Sequence, residues 1–197
     1  MLINLSLGGL TACTTSQPVE TNLARSAVAD AWQSNQHIVW ELDRPGAPVG
    51  GPLTVEIWRN GNQYRYEILE AVAPALIGES LVFNGHIAWQ YNRFDSTPPV
   101  VLDSPRLSPV SDTWAVIERL IATPPQIATQ EPVQIMHGPA QKITLVYTNG
   151  DRLILWRDDE TQLPVKVVFS AKGQKGTLNA RDFEPLIDPL PGLFNLH

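Results

Sequence analysis

Between residues 53 and 91 apolar and polar positions alternate around two Asn-Gly dipeptides, which predicts two successive β-hairpins. In the first, a two-residue turn at Asn60-Gly61 would set Ile57 opposite Tyr64, Glu56 opposite Arg65 and Val55 opposite Tyr66. Leu53, Val55, Ile57, Tyr64, Tyr66 and Ile68 then share one face. The other face carries Glu56 and Arg65 as an opposite-charge cross-strand pair. The second hairpin turns at Asn84-Gly85, placing Val82 opposite Ile87 and Ser80 opposite Trp89, with Tyr91 beyond. The product is an aromatic-rich antiparallel sheet with a greasy face.

The same rules extend along the chain. Residues 19 to 36 predict a helix, with Leu23, Ala27, Ala31 and Trp32 near one face, Asn22 as a cap and Asn35-Gln36 as its end. Residues 37 to 43 alternate as a strand that contains Trp40, and Arg44 to Pro52 is a loop by composition. Asn92 to Leu102 predicts a further strand, interrupted at Pro98-Pro99. Residues 103 to 140 are punctuated by prolines. Between them lies one amphipathic helix, Ser111 to Ala122, capped by Ser111 and stopped by Pro124-Pro125. Its apolar stripe is Trp114, Ile117, Leu120 and Ile121, with Glu118 and Arg119 largely off it. Such a helix between Pro-rich loops could be a lid, or an ordinary helix packed on a sheet.

The C-terminal third returns to β-structure. A third hairpin joins residues 142–147 to 152–157, with its turn on Asn149-Gly150 or Gly150-Asp151. Apolar residues on both faces of Arg152 to Trp156 predict a strand covered on both sides. Strands over 163–170, with Val165, Val167 and Phe169 on one face, and over 177–183 follow, around a turn at Gly173 to Gly176. Nine or ten antiparallel strands and two helices fit a sandwich or barrel in one domain, residues 20–197.

Composition narrows the function. Charged residues are 17% of the chain, apolar residues 43%, and the net charge is −6. With no basic stripe, nucleic acid is an unsuitable partner. Cys13, the single cysteine, follows Leu10-Thr11-Ala12. A short apolar run and small residues before a Cys resemble the lipobox of a bacterial lipoprotein signal. The resemblance implies cleavage of residues 1–12 and a thioether-linked lipid on Cys13, with residues 13–19 as a polar tether. The basic segment that opens a secretory signal is missing. The alternative is a buried free thiol.

Several motifs in order resemble the LolA/LolB-like lipoprotein carriers and their LppX-like and RseB-like relatives. They are Trp58-Arg59, the Asn60-Gly61 turn and Tyr64-Arg65-Tyr66; then Leu81-Val82-Phe83-Asn84-Gly85 with Trp89-Gln90-Tyr91; then Leu163-Pro164-Val165-Lys166; and finally Pro189 to Phe194. Arg59 falls where the carriers place a basic residue before a turn. The resemblance implies a mainly β (α+β) fold, an incomplete antiparallel barrel with helices capping its concave face. It also implies lipids or acyl chains of lipoproteins as ligands, or recognition of envelope proteins in the RseB manner.

Catalysis finds little support. The four His residues are scattered without metal-ligand spacing, and there is no GxSxG, GxxxxGK[ST] or GxGxxG motif, Gly8-Gly9 belonging to the expected leader. No metal or cofactor is expected, nor an enzyme. The expected wall of a ligand cavity is Val55, Ile57, Tyr64 and Tyr66 from the first hairpin, and Val82, Ile87, Trp89 and Tyr91 from the second. Trp40 and the lid residues Trp114, Ile117 and Ile121 complete it. Each of these would serve equally in a filled core. The expectation is an extracytoplasmic monomer anchored to a membrane by its lipid, binding a hydrophobic ligand when the lid helix and loops 96–110 and 123–140 part.

Overall fold

The strands build one antiparallel sheet, with period-two burial clearest over residues 36–43, 152–155, 165–171 and 176–180. A computed structural model describes residues 17–18, 20–45, 51–102 and 109–195. Cys13, the expected leader and most of the tether lie outside them. The elements are β1 (Gln17–Pro18), α1 (Thr21–Gln33), β2 (Gln36–Asp43), β3 (Leu53–Asn60), β4 (Gln63–Ala71), β5 (Glu79–Phe83), β6 (Ala88–Asn92) and β7 (Val100–Leu102). Then come α2 (Pro109–Ala122), β8 (Ile127–Ile135), β9 (Gly138–Val146), β10 (Arg152–Asp158), β11 (Pro164–Ala171) and β12 (Gln174–Pro185). The twelve strands run in the order β1-β8-β9-β10-β11-β12-β2-β3-β4-β5-β6-β7. Among the described residues the end strands β1 and β7 do not pair, and the sheet is an open half-barrel.

Its inner face is apolar from one half to the other. Ile38, Trp40 and Leu42 of β2 meet Ile57, Val55 and Leu53 of β3. Leu153, Leu155, Val165, Val167 and Phe169 continue the core on the far half. α1 lies against β8, β9 and β10, and α2 touches α1 and β10, so both helices occupy the concave side. This is the expected fold class.

Both Asn-Gly hairpins are displaced by one residue. In the first, Asn60 pairs with Gln63, leaving Gly61-Asn62 as the turn. Gly61 takes φ 58° and Asn62 does not have positive φ, as in a turn with Gly at its first central position. The Gly61 N–H donates to Asn35 Oδ1 at 2.8 Å, a tertiary contact that local propensity cannot encode. Face membership survives from Val55 to Arg59, because both registers pair odd β3 residues with even β4 residues there; a bulge between Thr54 and Val55 then sets Leu53 opposite Ala71. The Glu56–Arg65 pair does not survive: Glu56 lies opposite Glu67, and Arg65 opposite Trp58. The like charges are answered from elsewhere, Glu56 by His37 and Glu67 by Arg65 and Arg93. In the second hairpin Phe83 pairs with Ala88, so the loop is Asn84 to Ile87. The Asn84 carboxamide oxygen accepts from the N–H groups of His86 and Ile87 and holds it. The third loop has three residues, Thr148 to Gly150, with Gly150 at φ 82° and Tyr147 bonded to Asp151.

Other expectations change for physical reasons. α1 starts after Glu20, which makes no side-chain cap bond, and Asn22 is inside it. Its buried face is Ala24, Val28, Ala31 and Trp32, while Leu23 is exposed. α2 starts at Pro109, two residues before Ser111, because proline suits a first helical turn. Residues 123–140 are not a loop: they supply β8 and the start of β9. Pro132 is tolerated because β1 pairs only with Thr129 and Gln130, so Pro132 sits on an edge stretch. β10 buries Leu153 and Leu155 on its inner face, while Ile154 and Trp156 on the other are half-buried, Trp156 lying under the ammonium of Lys166 at 5.1 Å.

Gly176 lies in β12 rather than in a turn, directly beneath Phe169. A Cβ there would come within 2.5 Å of the Phe169 ring. That ring is fully buried, so Gly176→Ala is expected to cost about 1–3 kcal/mol by overpacking. A drop in the urea midpoint at constant slope checks this.

Candidate functional site

α2 buries one stripe and leaves another facing a gap. Ile117, Leu120 and Ile121 enter the core. The opposite stripe, Ser111, Ala115, Glu118 and Ala122, faces the inner surface of β3 and β4 across a cavity of about 560 Å³. Ile57, Tyr64 and Tyr66 form its apolar wall on the sheet, and Val110 and Trp114 on the helix. Trp114 is held against Trp32 of α1, with ring centroids 5.3 Å apart, so both helices fix the wall. Gln36, Arg59 and Arg119 are polar lining residues. The volume is within the range of small-molecule sites.

Arg59 is the charged centre of this gap. Its Nη1 donates to the Trp32 carbonyl at 3.3 Å, in the last turn of α1, where a cation complements the helix dipole. The same nitrogen lies 3.7 Å from Glu118 Oε1 of α2. Burial lowers the Arg59 pKa, and the Glu118 carboxylate works against that. Tyr64 is pushed up to about 12, mainly by burial and further by Glu118, so at neutral pH its hydroxyl keeps its proton. The arrangement offers an apolar chamber with a guanidinium and a phenol at one end, a shape and polarity suited to an amphipathic molecule.

The structure divides the sequence-derived candidates. Ile57, Tyr64, Tyr66 and Trp114 come together on the cavity. Trp40, Val55, Ile117 and Ile121 are fully packed in the core and do not line it. Val82, Trp89 and Tyr91 lie on the opposite face of the sheet, because Val82 pairs with Arg65 and Trp89, and Tyr91 with Ser80. Ile87 belongs to a turn and is exposed. The residues missed are Gln36 and the small and polar stripe of α2; Arg59 was singled out by the resemblance but not as part of a cavity wall. The i, i+4, i+7 spacing of Ser111, Ala115 and Glu118 was legible, but on a lone amphipathic helix such a face reads as solvated.

On the outer face His37 bridges two strands. Its Nδ1 is 2.9 Å from Glu184 of β12 and its Nε2 is 2.8 Å from Glu56 of β3, while the ring stacks on Trp58. Partial burial disfavours the imidazolium, but the hydrogen bonds of Glu184 and Glu56 outweigh it and raise the pKa above the ordinary 6.5. A raised folded-state pKa gives stability that is complete below the unfolded value and is lost as pH rises through the folded one. The urea midpoint is therefore expected to fall as pH rises from the ordinary imidazole value through the raised folded-state one, and His37→Gln to flatten that part of the profile. An unchanged slope in the variant would refute the assignment.

Among the described residues no three His, Cys, Asp or Glu side chains gather as a metal site, and no helix is long and apolar enough to cross a membrane. No family profile matches the sequence, and no curated protein does. Solved structures do match. An uncharacterized conserved protein from Thermus thermophilus superposes with a TM-score of 0.56 at 14% identity, over 88% of this chain and 91% of that one. A chain of the Pseudomonas aeruginosa MucA/MucB complex gives 0.55 at 16% identity, over 91% of this chain. This chain spans 62% of that relative's length. A LolA superfamily protein from Nitrosomonas europaea aligns at 0.41 and 12% identity over 90% of this chain and 98% of its own. The first two likenesses establish a shared fold.

Proposed function

We propose that this chain is an extracytoplasmic lipoprotein, anchored through Cys13, that binds a lipid or the acyl chains of lipoproteins for carriage or sorting. The observation that carries the reading is the cavity of about 560 Å³ between α2 and the β3–β4 hairpin. Each methylene buried there contributes roughly 0.8 kcal/mol, so about ten would supply on the order of 8 kcal/mol before ordering costs. Arg59 and the Tyr64 hydroxyl are placed to meet an oxygen-bearing head group. The mechanism is passive: the ligand enters between α2 and the hairpin and no bond is made. β8 is part of the sheet, so α2 and not the segment after it must yield. Native mass spectrometry of the purified chain, with extraction of co-purifying lipid, tests the reading. One exchangeable acyl-bearing ligand per chain is expected, and the absence of any would oppose it.

A second reading is a regulatory or scaffold lipoprotein of RseB type that recognises an envelope protein. Two observations favour it: the fold shared with the MucA/MucB chain, and the end strand β7, where Val100 and Val101 stand exposed beside an edge that no other described strand pairs. Under this reading a variant with its cavity plugged keeps its protein partner; under the first it loses its lipid.

A further inference from the structure

The pairing registers put the β3–β4, β5–β6, β8–β9 and β10–β11 turns and the C-terminal tail at one end of the half-barrel. Large apolar side chains stand exposed there: Met136 in the β8–β9 turn at 91%, and Ile187 and Leu190 in the tail at 83% and 75%. These segments are tied into the fold. The His137 ring meets Phe183 of β12 edge-on at 5.4 Å, and the Leu186 N–H donates to the Asn35 carbonyl at the start of β2. Gln36, Arg59 and Tyr64 lie at the same ends of β2, β3 and β4, so the polar part of the cavity lies at this end too.

β1 adds a direction. It pairs antiparallel with β8, Gln17 with Gln130 and Pro18 with Thr129, so its N-terminus points along β8 toward Ile135 and the β8–β9 turn. Cys13 is four residues before Gln17, a span of at most about 14 Å when extended. Continued in that direction, the chain would carry a lipid on Cys13 toward the end that displays Met136, Ile187 and Leu190.

We propose that this end is a membrane-docking surface: the three side chains seat in the lipid–water interface and turn the cavity toward the bilayer. An acyl chain then passes between bilayer and cavity without crossing bulk water. The charge at this end, Asp158, Asp159, Glu160, Glu184 and Asp188 against Arg59 and Arg157, does not favour anionic lipid. Docking runs on apolar insertion, so it tolerates salt and does not need phosphatidylglycerol. The proposal rests on the lipid-binding reading for what the cavity exchanges, but docking itself is measured without any cavity ligand.

The chain holds one cysteine, so Cys13→Ser removes both the anchor and the only competing thiol. In that background Met136→Cys, Leu190→Cys and, at the opposite end, Phe94→Cys each carry one environment-sensitive fluorophore. Vesicles of phosphatidylcholine, with and without phosphatidylglycerol, are the probe. A blue shift at 136 and 190 but not at 94, with no gain from phosphatidylglycerol, is expected. Combined Met136→Asp, Ile187→Asp and Leu190→Asp should lower vesicle co-sedimentation at least about tenfold and leave the melting temperature in place. No shift at 136, or an equal one at 94, overturns the proposal. So does a shift that grows with protein concentration in the absence of vesicles, which would make a second copy of the chain the occupant. Loss of acyl-probe binding with docking intact would count against the cavity reading alone.

Discussion

Trp40→Ala is expected to lower the stability of the fold by about 3–5 kcal/mol. Trp40 is 1% exposed, sits opposite Val55 at the middle of the sheet, and belongs to the main core cluster. Removing the indole leaves a hole that the surrounding strands, fixed by their ladders, cannot close. Chemical denaturation should show a lower midpoint with an unchanged slope. The cavity beside α2 does not include Trp40, so acyl-probe binding under native conditions should stay within about twofold of the parent. A large loss of affinity in folded protein would place Trp40 on the ligand after all.

Ala115→Trp is expected to do the reverse. Ala115 lies on the exposed stripe of α2 and faces the cavity. A tryptophan there takes up chamber volume without entering the core. Displacing only two methylenes of ligand, at roughly 0.8 kcal/mol each, already weakens binding at least about tenfold. Stability should stay within about 0.5 kcal/mol, as for other surface substitutions. Competitive titration of a fluorescent fatty acid measures the first quantity and thermal unfolding the second. The two variants together separate core from cavity, a distinction that a greasy strand face cannot make by itself.

That limit explains what the sequence could and could not disclose. Alternation identified most of the strands, though not β1 or β8, and the apolar face of the first hairpin, because side-chain parity depends only on local periodicity. Register did not follow from Asn60-Gly61, because Asn35, distant in sequence, binds the Gly61 amide. Parity nevertheless survived the one-residue slip. The candidates of the second hairpin failed for a different reason. Each hairpin fixes its own two faces, but which of those faces joins the neighbouring hairpin depends on the length of the 72–78 connection. Here Tyr66 meets Leu81, not Val82, and Val82, Trp89 and Tyr91 turn outward. β8 was hidden by Pro132 and Pro139, which read as loop but are accommodated on an edge stretch and near a strand start. The cavity was least legible of all. It exists because α2 presents Ser111, Ala115 and Glu118 to the half-barrel and stands away from β3 and β4, a matter of helix placement rather than pattern.

The placement of the ligand is the central claim, and photocrosslinking measures it. A diazirine-bearing fatty acid is bound to the folded chain, irradiated, and the adducts are mapped by peptide mass spectrometry. Adducts on Ile57, Tyr64, Tyr66 and the 110–122 segment, lost in Ala115→Trp, are predicted. Adducts confined to the outer face or to the β7 edge, or none above the level of a denatured control, would contradict it.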